Sequence, residues 1–205
     1  MDRGIRNTLL GIAAFISLVM GLFLYTFFES RGHLTPEQLA QLGYYEFERP
    51  RVISSFNLVN QDGEPVTVDD LKGQWSLLFF GFTYCPDICP TTMAVINRAV
   101  QRLDNDPQVV LVSVDPERDT PEQLSNYLPA FNPAFEGYTG THEEITKFAT
   151  QVNVAFGKVP GEEPGTYTVD HSASIVVIDP EGRYAGFIKA PHSEMDIKRI
   201  VEYLI

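Results

Sequence analysis

The chain has 205 residues, with 15 lysines and arginines against 27 aspartates and glutamates, for a net charge of −12. That acidic balance argues against nucleic acid and against an anionic membrane surface as partners, since both repel it. No internal repeat or low-complexity tract divides the chain.

The first segment with a structural signature is residues 7–28, NTLLGIAAFISLVMGLFLYTFF, which carries no charge. As a helix it would be about 33 Å long at 1.5 Å per residue, enough to cross a bilayer core. A cleaved signal peptide has a shorter apolar run and a small-residue cleavage site, and no cysteine follows closely for lipid attachment, so the run is expected to be a retained transmembrane anchor. Arg3 and Arg6 precede it. The positive-inside tendency then keeps residues 1–6 in the cytoplasm, giving a single pass through the cytoplasmic (inner) membrane with the C-terminal part on the periplasmic side. Residues 29–50 are polar with scattered charge and read as a tether that includes a solvated His33. Residues 51–205 are expected to form one domain, long enough for a substantial core.

Within that domain, residues 56–68, FNLVNQDGEPVTV, alternate around an Asp-Gly pair and predict a hairpin. Residues 75–82, WSLLFFGF, form a continuous apolar run of the kind a strand shows when covered on both faces. Met93, Ile96, Val100 and Leu103 recur at helical spacing, and a second apolar strand follows at 109–114, as in a parallel crossover. Thr120, Pro121 and Gln123 spell an N-cap, a first-turn proline and a reciprocal cap. Thr141 and Glu144 repeat the capping pattern before Ile145 and Phe148. Strands at 174–178 and 183–188 flank the turn DPEG, and Ser193 with Asp196 caps a last helix with apolar Ile197, Ile200, Val201 and Leu204. The order predicts an α/β domain, a thioredoxin-like mixed sheet flanked by helices, behind the N-terminal transmembrane helix. Chemistry in open sheets of this type collects at the carboxyl ends of strands.

Both cysteines, Cys85 and Cys89, lie at such an end, in FTYCPDICP. A disulfide between them would close a loop worth only about 2 kcal/mol, too little to be its main purpose in a domain that can build a core. Each cysteine precedes a proline, which disfavours the α region, so neither is expected inside a helix. Pro90 is placed as the first helical residue with Cys89 at the cap, where the dipole of the helix favours thiolate. Thiolate both attacks disulfides and binds metal, so the spacing alone does not separate redox chemistry from metal binding.

A third group separates them. Among the histidines, His142 opens a capped helix and is expected at the surface. His192 precedes the last helix without a supporting pattern. His171, in VDHSAS, stands just ahead of the strand that a thioredoxin-like fold sets beside the cysteine loop. Two sulfurs and an imidazole suit copper, as Cu(I) or as Cu(II) with a further oxygen, and zinc could also use them. Asp170 is placed to orient the ring of His171, and Asp87 to tune the site or face a partner, though both also fit ordinary turns.

The stretches FGFTYCPDICPTTM, SVDPERDTPEQLSNYL and DHSASIVVIDPEGR, behind one N-terminal anchor, resemble the Sco/SenC family over nearly the whole exported domain. The resemblance implies a membrane-tethered copper chaperone. It would bind one copper ion and deliver it to, or redox-prepare, the dinuclear copper centre in the copper-receiving subunit of cytochrome c oxidase. The copper ligands it implies are the two cysteines of the CxxxC loop and a distant histidine, matching Cys85, Cys89 and His171. The resemblance also implies a role as thiol-disulfide reductant for the cysteines of that centre, so a thiol-disulfide oxidoreductase using Cys85 and Cys89 stands as the alternative. Such enzymes usually place two residues between their cysteines, where this chain has three. A thiol peroxidase would show PxxxTxxC, and here Phe82 and Gly81 stand in place of the threonine and the residue before it. A plain interaction domain leaves the CPDICP loop without a purpose.

Overall fold

The computed structural model describes residues 3–29, 34–101, 103, 106–161, 163 and 165–205. They separate into two compact units, Met1–Thr35 and Pro36–Ile205. In the first, helix α1 (Arg3–Glu29) exposes its large apolar side chains between Ile5 and Tyr25 and is long and apolar enough over Arg3–Tyr25 to cross a membrane. Residues 1 and 2 of the expected cytoplasmic terminus lie outside the described residues, as do residues 30–33 of the expected tether, His33 among them.

The second unit begins earlier than expected. Residues 29–50 read as a tether, yet Pro36–Gln41 form helix α2 and Tyr44–Val52 form strand β1, which belongs to the folded unit. The misreading has a cause in YYEFERPRV. This is an edge strand with an exposed charged side, and its proline breaks the register between Glu46 and Arg51, so its alternation is blurred. The chain continues with β2 (Leu58–Asn60), β3 (Pro65–Val66), β4 (Ser76–Gly81), α3 (Ile88–Val100), β5 (Gln108–Ser113), α4 (Pro121–Tyr127), β6 (Glu136–Thr139), α5 (His142–Gln151), β7 (Phe156–Pro160), β8 (Tyr167–His171), β9 (Ile175–Ile178), β10 (Arg183–Ile188) and α6 (Glu194–Leu204).

Among the described residues, eight strands form one mixed sheet in the order β1-β10-β9-β4-β5-β6-β2-β3, and β7 pairs with β8 in a separate two-stranded sheet. The apolar runs decide the centre. Every residue of β4 and β9 is buried, and the two pair antiparallel from Ser76↔Ile178 to Phe79↔Ile175. On its other side β4 runs parallel to β5, from Ser76↔Gln108 to Gly81↔Ser113, and α3 makes the crossover that a parallel pair requires. The carboxyl end of β4 therefore lies beside the amino end of β9.

Helices cover the sheet with the faces their periodicity marks out. α3 buries Met93, Ile96, Ala99 and Val100 and packs with α6, which buries Ile197, Ile200 and Val201. α5 buries Phe148, whose ring stacks on Phe56 at 4.2 Å and leans on Phe80 at 5.6 Å. Thr120, Thr141 and Ser193 cap α4, α5 and α6 as their sequences predict. The reciprocal half of the first cap does not form, because the Gln123 amide donates instead to Thr83 in the cysteine loop at 3.2 Å.

Candidate metal centre

The cysteine loop starts where β4 ends. Gly81 closes the strand, and a Cβ there would lie 3.0 Å from Cys89 Sγ, so the absence of a side chain is what lets the sulfur sit against the sheet. The loop is fastened from below by Asp119, which accepts from the Thr83 backbone N–H at 3.0 Å, the Thr83 hydroxyl at 2.6 Å and the Ser113 hydroxyl at 2.7 Å. Burial raises the Asp119 pKa even against these donors. Sequence reading missed Asp119, since a carboxylate in a polar loop before a helix cap looks like any turn residue.

Two expectations for the cysteines are corrected. Helix α3 begins at Ile88, with Asp87 at the N-cap position, so Cys89 stands inside the first turn and not ahead of it. The first turn still leaves its N–H groups free, and the Cys89 N–H donates to Cys85 Sγ at 3.4 Å. The thiol of Cys89 is also not drawn toward thiolate. It is wholly buried, and burial pushes its pKa well above the ordinary value, overriding the helix end. Cys85 is half-buried, and both thiols are free.

His171 is the last residue of β8 and meets Cys89 across 82 residues of sequence, with Nε2 at 3.5 Å from Sγ. The ring is wedged edge-on against Phe79 and Phe82, at centroid distances of 5.8 and 6.0 Å. Its Nδ1 lies 3.2 Å from the Ser172 carbonyl oxygen, which takes the orienting role expected of the Asp170 carboxylate. With Nδ1–H donating to that carbonyl, Nε2 presents its lone pair to the sulfur. Burial lowers the imidazole pKa, opposed by Ser172 and by the charge of Asp170, so the ring is held neutral to lower pH than a free histidine.

Asp87 is exposed at the mouth, with one oxygen 3.5 Å from the Thr91 hydroxyl, and makes no cap bond to α3. With Asp170 it borders a groove of about 480 Å³ between the cysteine loop and β8, lined also by Phe82, Cys85, Ile88 and His171. His142 is exposed, as expected. His192 is half-buried and close by, with Nε2 2.7 Å from the carbonyl oxygen of Ala173 in the link between His171 and β9. Among the described residues, no three His, Cys, Asp or Glu side chains already surround one point. The contacts are pairwise, Cys85 with the Cys89 amide and Cys89 with His171.

The profile of the SCO1/SenC family matches residues 46–205. The chain belongs to the SCO1/SenC family. A SCO2-like protein of Rickettsia felis is 35% identical over 206 residues, covering 97% of each chain. The structure of Arabidopsis thaliana ScoI with copper bound is 36% identical, with a TM-score of 0.69, and covers 74% of this chain and 96% of that one. Bradyrhizobium japonicum ScoI with copper bound is also 36% identical, with a TM-score of 0.68 over 75% of this chain and 99% of that one. The SCO1/SenC fold seen in those structures is the mixed sheet flanked by helices found here.

Proposed function

We propose that this chain is a membrane-anchored copper chaperone. It takes one copper ion on Cys85, Cys89 and His171 and passes it to, or redox-prepares, the dinuclear copper site of cytochrome c oxidase. The observation that carries the reading is the approach of His171 Nε2 to Cys89 Sγ at 3.5 Å, at a half-open groove that also holds Cys85. Relatives solved with copper bound support the choice of ion, and soft sulfur with imidazole suits Cu(I). The resemblance of the motifs supports the oxidase as recipient.

The pairwise contacts define what capture would require. Copper displaces the proton of the buried Cys89 thiol and draws Cys85 and His171 onto one centre, so uptake releases protons. Release runs through the exposed mouth, by ligand exchange with a partner's thiols. Helix α1 is the anchor, with residues 1–6 on the cytoplasmic side and the folded unit outside.

Titrating the reduced full chain in detergent with Cu(I) against a chromophoric chelator tests the reading. One ion per chain is expected. His171→Ala should weaken binding by more than about tenfold, since even residues that only support metal ligands act on that scale. Equal affinity in the two proteins, with brisk disulfide exchange, would favour the oxidoreductase, which the two free cysteines also permit. Oxidising Cys85 and Cys89 to a disulfide with a partner's disulfide as acceptor removes two electrons and two protons, and the chain should then take up no copper.

A further inference from the structure

The motif SVDPERD has a task beyond the Asp119 fastening of the cysteine loop. The guanidinium of Arg118 stands 4.0 Å from the ring centroid of Tyr167 in β8 and 5.0 Å from that of Tyr84 in the cysteine loop, with Phe82 at 5.8 Å. Its Nε pairs with the carboxylate of Asp115, which is wholly buried. Asp115 in turn accepts from the Tyr167 hydroxyl at 2.9 Å, and Arg118 Nη1 donates to the Tyr167 carbonyl oxygen at 3.4 Å. Beside them, Lys158 of β7 lies 4.6 Å from the Tyr167 ring and 2.6 Å from Glu117. One short loop thus holds the β7–β8 hairpin by its ring, hydroxyl, backbone and neighbouring cation.

The hairpin needs that hold. Two strands alone are marginal in water. β7 has no buried residue and β8 buries only Val169. Tyr167, Val169 and His171 share one face of β8 by the alternation of the strand, so the clamp at Tyr167 and the imidazole at His171 turn toward the body of the domain together. Arg118 keeps its place at a cost, since its Nη2 is buried without a partner.

We propose that Arg118 is a positioning residue, which clamps the β7–β8 hairpin to the cysteine loop through Tyr167, Asp115 and Tyr84 and so sets His171 against Cys89. The copper consequence rests on the function proposed above, while the clamp itself is visible without metal. Replacing the planar cation removes the stack on two rings and leaves the buried Asp115 carboxylate without its charge partner, so the hairpin should open while the main sheet stays closed.

The test uses the reduced full chain in detergent micelles, as wild type, Arg118→Ala, Arg118→Lys and Tyr167→Phe. Hydrogen exchange of the metal-free protein should speed up by about tenfold or more in β7 and β8 for Arg118→Ala and stay at the wild-type rate in β4, β5 and β9. Cu(I) affinity should fall by about 10- to 100-fold with the stoichiometry still one ion, and the Cu(II) absorption and spin-resonance spectra should shift as the imidazole is displaced. Arg118→Lys and Tyr167→Phe should fall between, each keeping part of the clamp, and they decide the matter if Arg118→Ala does not fold. Wild-type exchange in the hairpin of all three variants overturns the proposal, and so does a rise spread equally over every strand. Failure of the wild type to bind copper would sink the function proposed above, and the exchange data would still judge Arg118.

Discussion

Gly81 is the residue with the least room to change. Gly81→Ala would place a methyl group 3.0 Å from Cys89 Sγ and equally near the Phe79 ring, neither of which can yield without moving the sulfur or the wedge behind His171. Overpacking of this kind costs about 1–3 kcal/mol. Thermal unfolding should show the loss, and Cu(I) affinity should drop with it. The buried histidines make a second prediction at this scale. His171 and His192 are both held by burial below the ordinary value of 6.5. The unfolded chain accepts protons that the folded chain refuses, so stability is full above 6.5 and falls as pH drops through the window beneath it. Asp119 works in the opposite sense. Its raised pKa favours the folded state below 3.8, and that contribution is lost as pH rises through the folded value. Melting of the reduced, metal-free protein should therefore weaken as pH falls below 6.5, with at most about 1.4 kcal/mol per pH unit from each histidine, and His192→Phe should make the slope shallower. The approach of His171 to the cysteine loop could be anticipated from sequence, because a thioredoxin-like order sets the start of β9 beside the end of β4. The protonation of Cys89 could not, because burial against β4 appears only in three dimensions.

At the scale of elements, legibility followed burial. β4, β5 and β9 are buried along nearly their whole length, and their apolar runs announced them. α4, α5 and α6 announced their starts through threonine and serine caps. The hairpin β7–β8 left no such mark, since its strands bury so little, and yet it delivers His171. Helix α3 was misplaced by two residues because the proline rule disfavours the α region for Cys89 locally, whereas its packing against Gly81 overrides the preference. The caps offer a control for the site. Thr141→Ala removes the acceptor of the Glu144 N–H and should cost about 1 kcal/mol on denaturant unfolding, with copper affinity unchanged. Thr120→Ala should cost a similar amount by the same measurement. It should also disturb the cysteine loop, because Gln123 in the first turn of α4 holds Thr83. A copper titration in which both variants behave alike would refute that link.

For the whole molecule, the apolar run of α1 and the arginines ahead of it, Arg3 and Arg6, set the expected placement. In intact cells a membrane-impermeant maleimide should label the half-buried Cys85 from the outer side of the cytoplasmic membrane, and the same reagent should label it no better after lysis. Labelling only after lysis would reverse the orientation. Deleting residues 1–29 should release a soluble acidic protein whose copper stoichiometry is unchanged, since the site residues all lie in the unit Pro36–Ile205. Because β9 lies beside β4, the sulfurs and the imidazole become neighbours only when strands from the two halves of the domain have paired. With the orientation proposed above, a polypeptide still threading through a translocation pore would own a thiol pair but no imidazole near it, so a cation that demands all three donors would be chosen on arrival, from the ions of the outer compartment.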